Sequence, residues 1–190
     1  DRHNYIAVHA FYCCYSLTSI TLPSTLEGVG FWADNHGNRG MNPFAGCTSL
    51  TQFSGGNNTA AIISSNGWFL CDENDLLISA VGDFAGAQPN IPVGIRTIGK
   101  EAFFGSNVYK VIIPASVTEV ADYAFKNCSD LIGVLFDDLS TDYSRPTIGT
   151  ETFAGTSDNL EIRIPGIAAH KILNDVYWSS LVESGIIVVY

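Results

Sequence analysis

The chain has 190 residues, 46 % of them apolar and only 15 % charged, a composition that excludes a disordered polypeptide and allows burial of roughly 70 % of the unfolded surface. Nineteen acidic residues against nine basic ones leave a formal charge of −10, a field that repels phosphate backbones and anionic membrane surfaces and so argues against nucleic acid as a partner. No apolar run reaches the length of a membrane span, which argues against membrane insertion, and no signal-peptide pattern opens the chain.

A hexapeptide recurs along the sequence, first as Ile6-Ala7-Val8-His9-Ala10-Phe11 and then, after a few residues, as the start of a second pattern, Leu17-x-x-Ile20-x-Leu22-Pro23. This defines a first unit over about 6–30, and because Asp1 stands just before a repeat already in progress, further chain upstream is expected. Phe31-Trp32-Ala33 through Gly40 follows as a turn-rich surface loop. A second unit, about 42–54, is marked by Phe44 and is broken before a clear proline.

Residues 54–91 then form an insertion. Its short apolar runs, Ala60 to Ser64, Trp68 to Cys71 and Leu76 to Val81, are separated by Ser65-Asn66-Gly67 and Asp72-Glu73-Asn74-Asp75, so a three-stranded β-meander is expected. The repeats resume at about 95–116 with Ile98-Gly99-Lys100-Glu101-Ala102-Phe103 and Val108-x-x-Val111-x-Ile113-Pro114. They continue at about 117–139 with Val120-Ala121-Asp122-Tyr123-Ala124-Phe125 and Leu131-x-x-Val134-x-Phe136. After a polar stretch over 137–146 comes the last unit, about 147–165, with Ile148-Gly149-Thr150-Glu151-Thr152-Phe153 and Leu160-x-Ile162-x-Ile164-Pro165.

Units this small cannot each bury an apolar face alone, so they must stack. The expected strands, 17–22, 108–113, 131–136 and 160–164, lie side by side in one parallel sheet, with Phe11, Phe44, Phe103, Phe125 and Phe153 stacked inside. The hexapeptide forms a tight turn with a short helical stretch opposite the strands. Proline ends several of the strands because it cannot donate to a ladder. A cap is expected over 166–190: a helix from Ala168 to Asp175, Trp178 to Val182 as a second turn or helix with Trp178 in the core, and a strand from Ile186 to Tyr190.

The five cysteines are odd in number and contain no Cys-x-x-Cys. Cys14, Cys47 and Cys128 each stand three residues after a repeat phenylalanine, which predicts a ladder of buried, unbridged thiols. Cys13 and Cys71 are not assigned.

These residues resemble the BspA-like leucine-rich-repeat family, also called the Treponema-type repeat. Its pattern, Ile-Gly-x-x-Ala-Phe followed by x-x-Cys-x-x-Leu-x-x-Ile-x-Ile-Pro, is met almost in full by Val120 through Phe136, and the resemblance covers nearly the whole chain. It implies a right-handed solenoid, mainly β with short helical turns, formed by 1–190 as a single domain. It also implies an extracellular or cell-surface bacterial protein whose repeats bind host or bacterial proteins, in the manner of adhesion to extracellular matrix or to another bacterium.

Catalytic signatures are lacking: there is no Gly-x-Ser-x-Gly, no His-Glu-x-x-His and no phosphate-cradling Gly-rich loop, so no catalytic residue and no cofactor is assigned. Histidines 3, 9, 36 and 170 are dispersed, and Asp137, Asp138 and Asp142 lack the spacing of a calcium loop, so no metal ligand is assigned either. Function is therefore sought on the outward strand positions. Thr18, Ser19, Thr21, Thr51 and Gln52 make one half hydroxyl-rich; Tyr109, Lys110, Ile112, Ile132, Leu135, Glu161 and Arg163 make the other apolar and charged. The partner-binding candidates are Tyr109, Lys110, Ile112, Ile132, Leu135, Arg163 and, in the first loop, Trp32. Trp68 is expected to pack within its hairpin. Two readings stay open, a non-enzymatic module binding a protein or glycan and a structural spacer of a larger surface protein, with the oligomeric state undetermined.

Overall fold

The computed structural model describes residues 4–31, 41–137, 146–164, 178, 181 and 187–189. Each hexapeptide begins in a short strand: β1 (Tyr5–Ala7), β8 (Thr97–Ile98), β10 (Glu119–Val120) and β12 (Thr147–Ile148), with β3 (Gly28–Phe31) in the same place before Phe44. The second half of each unit gives a longer strand: β2 (Ser19–Leu22), β4 (Gln52–Gly55), β9 (Lys110–Ile113), β11 (Gly133–Phe136) and β13 (Glu161–Ile164). Like pairs with like, in parallel. Val134 lies in register with both Val111 and Ile162, and Val120 with both Ile98 and Ile148. Alternate positions of each strand face inward: Val111, Ile113, Val134, Phe136, Ile162 and Ile164 are buried and their neighbours turn outward.

Between the two strand types the hexapeptide was expected to contain a helical stretch; the described residues form a run of hydrogen-bonded turns instead. The reason lies in the backbone. Amide N–H groups alternate in their use: those of Ala102, Phe104 and Ser106 reach back three residues, whereas those of Glu101, Phe103 and Gly105 bond Asp122, Ala124 and Lys126 of the next unit. The fourth hexapeptide residue also takes a left-handed conformation, with φ of 55° at His9, 61° at Glu101, 59° at Tyr123 and 49° at Glu151, which a continuing α-helix does not allow. The inward phenylalanines stack as expected, with ring centroids 5.2 Å apart for Phe11 and Phe44, 4.6 Å for Phe103 and Phe125, and 5.6 Å for Phe125 and Phe153.

The single sheet expected for the long strands is two sheets. β2 pairs with β4, and β9, β11 and β13 form another sheet with β14 (Ile187–Val189). The insertion separates them. Its strands β5 (Ile62–Ile63), β6 (Phe69–Cys71) and β7 (Leu76–Ala80) pair antiparallel as a meander, and β7 then pairs in parallel with β8, putting Leu77 opposite Ile98. Beyond β7 the chain runs beside the next unit: Gly82 accepts from the Asn107 amide, Phe84 stacks on Phe103 at 6.2 Å, and Asn90 bridges Ile112. Residues 76–91 thus make an extra turn of the stack that lacks the Ala-Phe signature. Pro89 and Pro92 flank the bridge and leave too few donors there for a strand joining β4 to β9.

Of the expected cap, Ala168 to Asp175 lies outside the described residues. The final strand is present as β14, and Trp178 is buried, its edge on Phe136 and its indole N–H donating to the Pro146 carbonyl at 3.2 Å. Trp68 packs edge-on against Phe84, as expected for a hairpin residue.

Candidate functional site

The outward face of β9, β11 and β13 carries six of the seven binding candidates; Trp32 lies outside the described residues. Two rows cross the strands. One is Lys110, Gly133 and Glu161, the other Ile112, Leu135 and Arg163, each set directly in register. Tyr109 and Ile132 precede their strands and are joined by the Ile132 amide donating to the Tyr109 carbonyl at 2.9 Å. Adjacency is therefore as the spacing predicts.

Exposure is uneven. Tyr109 is 49 % exposed, whereas Ile112, Ile132 and Leu135 are each half-buried. The Lys110 stem lies over Gly133, where a Cβ would stand 3.1 Å from Lys110 Cγ, and its ammonium sits 5.6 Å from the centre of the Tyr109 ring. Arg163 is held within its own strand, donating from Nη2 to Glu161 Oε2 at 2.9 Å. The strip is thus an apolar centre flanked by a cation resting on an aromatic ring and by an exposed ion pair.

The hydroxyl-rich half is differently organised. Thr21 and Ser54 oxygens are 2.8 Å apart, and the Thr51 hydroxyl donates to the Thr18 carbonyl at 2.9 Å. Its hydroxyls largely bond one another and the backbone.

On the turn side, His9 Nε2 meets Glu101 Oε2 at 2.6 Å, reaching past the buried Asn42, whose amide donates to the Glu101 and Ala102 carbonyls. Lys126 donates to Glu151 at 2.6 Å and lies 4.7 Å from the centre of the Tyr123 ring. A groove of about 330 Å³ over the short strands is lined by Lys100, Glu119, Asp122 and Thr147, with Ala121 and Gly149 beneath. Asp122 is not free for chemistry there, since its Oδ1 accepts the Thr150 amide at 2.7 Å. Among the described residues no group of three or more His, Cys, Asp or Glu is placed to hold a metal ion, and no helix is long and apolar enough to cross a membrane.

All five cysteines are free thiols. Cys47 and Cys128 are buried, and burial pushes them up to about 11 and about 12 respectively. Cys14, expected to be buried with them, is exposed, because among the described residues no coil lies on its outer side.

The sequence reading missed the tyrosines of the first unit. Tyr5, Tyr12 and Tyr15 are 47 %, 46 % and 61 % exposed. Their signal was available, since Tyr12 and Tyr15 stand at positions between the inward consensus residues.

The family description "BspA type Leucine rich repeat region" matches in six copies over residues 4–74 and 87–180. Among solved structures, a leucine-rich cell surface protein from Faecalibacterium prausnitzii A2-165 is similar at 20 % identity with a TM-score of 0.59, over 86 % of this chain and 45 % of that one. A leucine-rich repeat protein from Eubacterium ventriosum ATCC 27560 gives 18 % identity and a TM-score of 0.59, over 87 % and 46 %. The chain therefore spans less than half the length of either, and likeness at such identity speaks to the fold. No curated protein matches.

Proposed function

The chain belongs to the BspA-type leucine-rich repeat family, and from that premise we propose that it is a non-enzymatic binding module, extracellular or at the cell surface, that holds another protein on its long-strand face. Leucine-rich repeats mediate protein interactions and are generally non-catalytic scaffolds, and a stack of coils offers an extended face rather than a deep pocket. The observation that carries the reading is the contiguous strip of Tyr109, Ile132, Ile112 and Leu135, bordered by Lys110 and Arg163. An aromatic and an arginine beside half-buried aliphatics is the composition of interface centres. A protein partner, from extracellular matrix or a bacterial surface, fits this strip better than a glycan, whose hydroxyls would seek the polar half, where the protein's own hydroxyls already bond one another. We take 1–190 as one right-handed solenoid domain, the insertion and cap included.

The test is binding to a panel of immobilised matrix and bacterial surface proteins. Leu135→Lys and Tyr109→Ala should each weaken capture by on the order of tenfold or more while leaving the melting temperature nearly unchanged. Capture that survives both substitutions removes the strip from the reading, and no capture by the unaltered chain favours the spacer.

A further inference from the structure

The position three residues after each repeat phenylalanine forms a column through the stack: Cys14, Cys47, Ser106, Cys128 and Thr156. In the centre, Ser106 Oγ and Cys128 Sγ are 3.5 Å apart, and the Cys128 thiol donates to the Phe103 carbonyl at 3.0 Å. The first two coils repeat this arrangement, with the Cys47 thiol donating to the Phe11 carbonyl at 3.1 Å. Cys14 stands where Ser106 stands. Its own amide donates to that same Phe11 carbonyl at 3.1 Å, so the Cys47 sulfur and the Cys14 backbone share one acceptor.

The register between these coils is constant, from the stacked Phe11 and Phe44 rings to the Ser19–Gln52 pair, and so puts Cys14 opposite Cys47. Residues in register on neighbouring parallel segments stand about 5 Å apart at Cα, inside the roughly 4.4–6.8 Å that a disulfide spans. This is the one place in the column where both neighbours are thiols.

We infer that Cys14 and Cys47 are a redox clip, free thiols when reduced and a disulfide joining the first coil to the second in an oxidising environment. The co-reactant is a small-molecule or protein disulfide. The exposed Cys14 thiol attacks it as the thiolate, forming a mixed disulfide and releasing one thiol of the co-reactant. The Cys47 sulfur, after losing its proton, attacks the Cys14 sulfur of that mixed disulfide and displaces the second thiol. Two protein thiols are oxidised and one disulfide is reduced to two thiols. Burial slows the second step, because with the Cys14 and Cys13 thiols adding to it, it holds Cys47 at about 11.

Cys13 is adjacent in sequence and differently placed. Its φ of 56° turns it over Gly46, where a Cβ would stand 2.9 Å from its sulfur, and it lies beside the phenols of Tyr12 and Tyr15. Cys71 is buried in β6, outside the column.

The experiment is incubation of the reduced full chain with oxidised glutathione, then alkylation of remaining thiols and mass mapping. The expected result is three alkylatable thiols, a linked pair of peptides holding Cys14 and Cys47, and a melting temperature raised by several degrees that falls back on reduction. Closure should quicken as pH rises, survive Cys13→Ser and vanish in Cys14→Ser, a change at an exposed site that leaves the fold intact. A single stable glutathione adduct at Cys14, a link from Cys13, or five free thiols after oxidation overturns the inference. These outcomes do not depend on any binding partner.

Discussion

The first coil and the central coils carry the same consensus and bury it to different degrees. Ile98, Phe103, Val108 and Val111, like Val120, Phe125, Leu131 and Val134, are at most 1 % exposed, whereas their counterparts Ile6, Phe11, Leu17 and Ile20 are only partly covered. The same contrast separates Cys128 from Cys14. Burial in a stack is a property of the two neighbours, not of the unit, so identical residues contribute differently at its end and in its middle.

The largest expected effect is at the phenylalanines. Phe125→Ala removes a fully buried ring stacked on both sides and should cost about 3–5 kcal/mol by denaturant titration, whereas Phe11→Ala, stacked on one side, should cost about 1–2 kcal/mol. Equal costs would mean that the first coil is covered in solution.

Thiol chemistry sharpens the contrast next. Cys14 should react with an alkylating reagent in the native protein on the order of a thousandfold faster than Cys128, which must wait for opening of the stack. Burial also raises Cys128 to about 12 from an ordinary value near 9, so the folded state favours the protonated thiol. Its contribution to stability is complete below pH 9 and is lost as pH climbs through 9 towards 12. Alkaline titration of Cys128→Ala should show a shallower decline across that window than the unaltered chain.

The smallest effect lies in the backbone. Gly105 and Cys13 hold the same left-handed turn position in different coils, with φ of 71° and 56°. Gly105→Ala should cost about 1 kcal/mol, whereas Cys13→Gly should gain about 0.5 kcal/mol, both read from urea midpoints.

Much of this was legible in the residues themselves. The repeat spacing located the strands to within two or three residues, the phenylalanine stack, the meander and Trp178, because inward positions recur at fixed intervals and only apolar side chains fill them. The binding candidates on the long strands were found by the same alternation, and the structure sets Ile112, Leu135 and Arg163 in one row. Their half-burial was not legible, since alternation gives the direction of a side chain and not how closely its neighbours pack around it.

What the sequence determined by itself is the identity of the repeating unit and which of its side chains face inward, since both follow from local spacing. Tertiary structure decided the rest. Residues 76–91 join the stack without the consensus because β7 finds a free edge at β8, a pairing written in hydrogen bonds between segments about twenty residues apart. The turn takes its form, and not a helix, because half its amides are claimed by the neighbouring coil. Cys14 is exposed and Cys128 closed for the same physical reason: among the described residues the first coil has a neighbour on one side only, whereas the coil of Cys128 has one on each side.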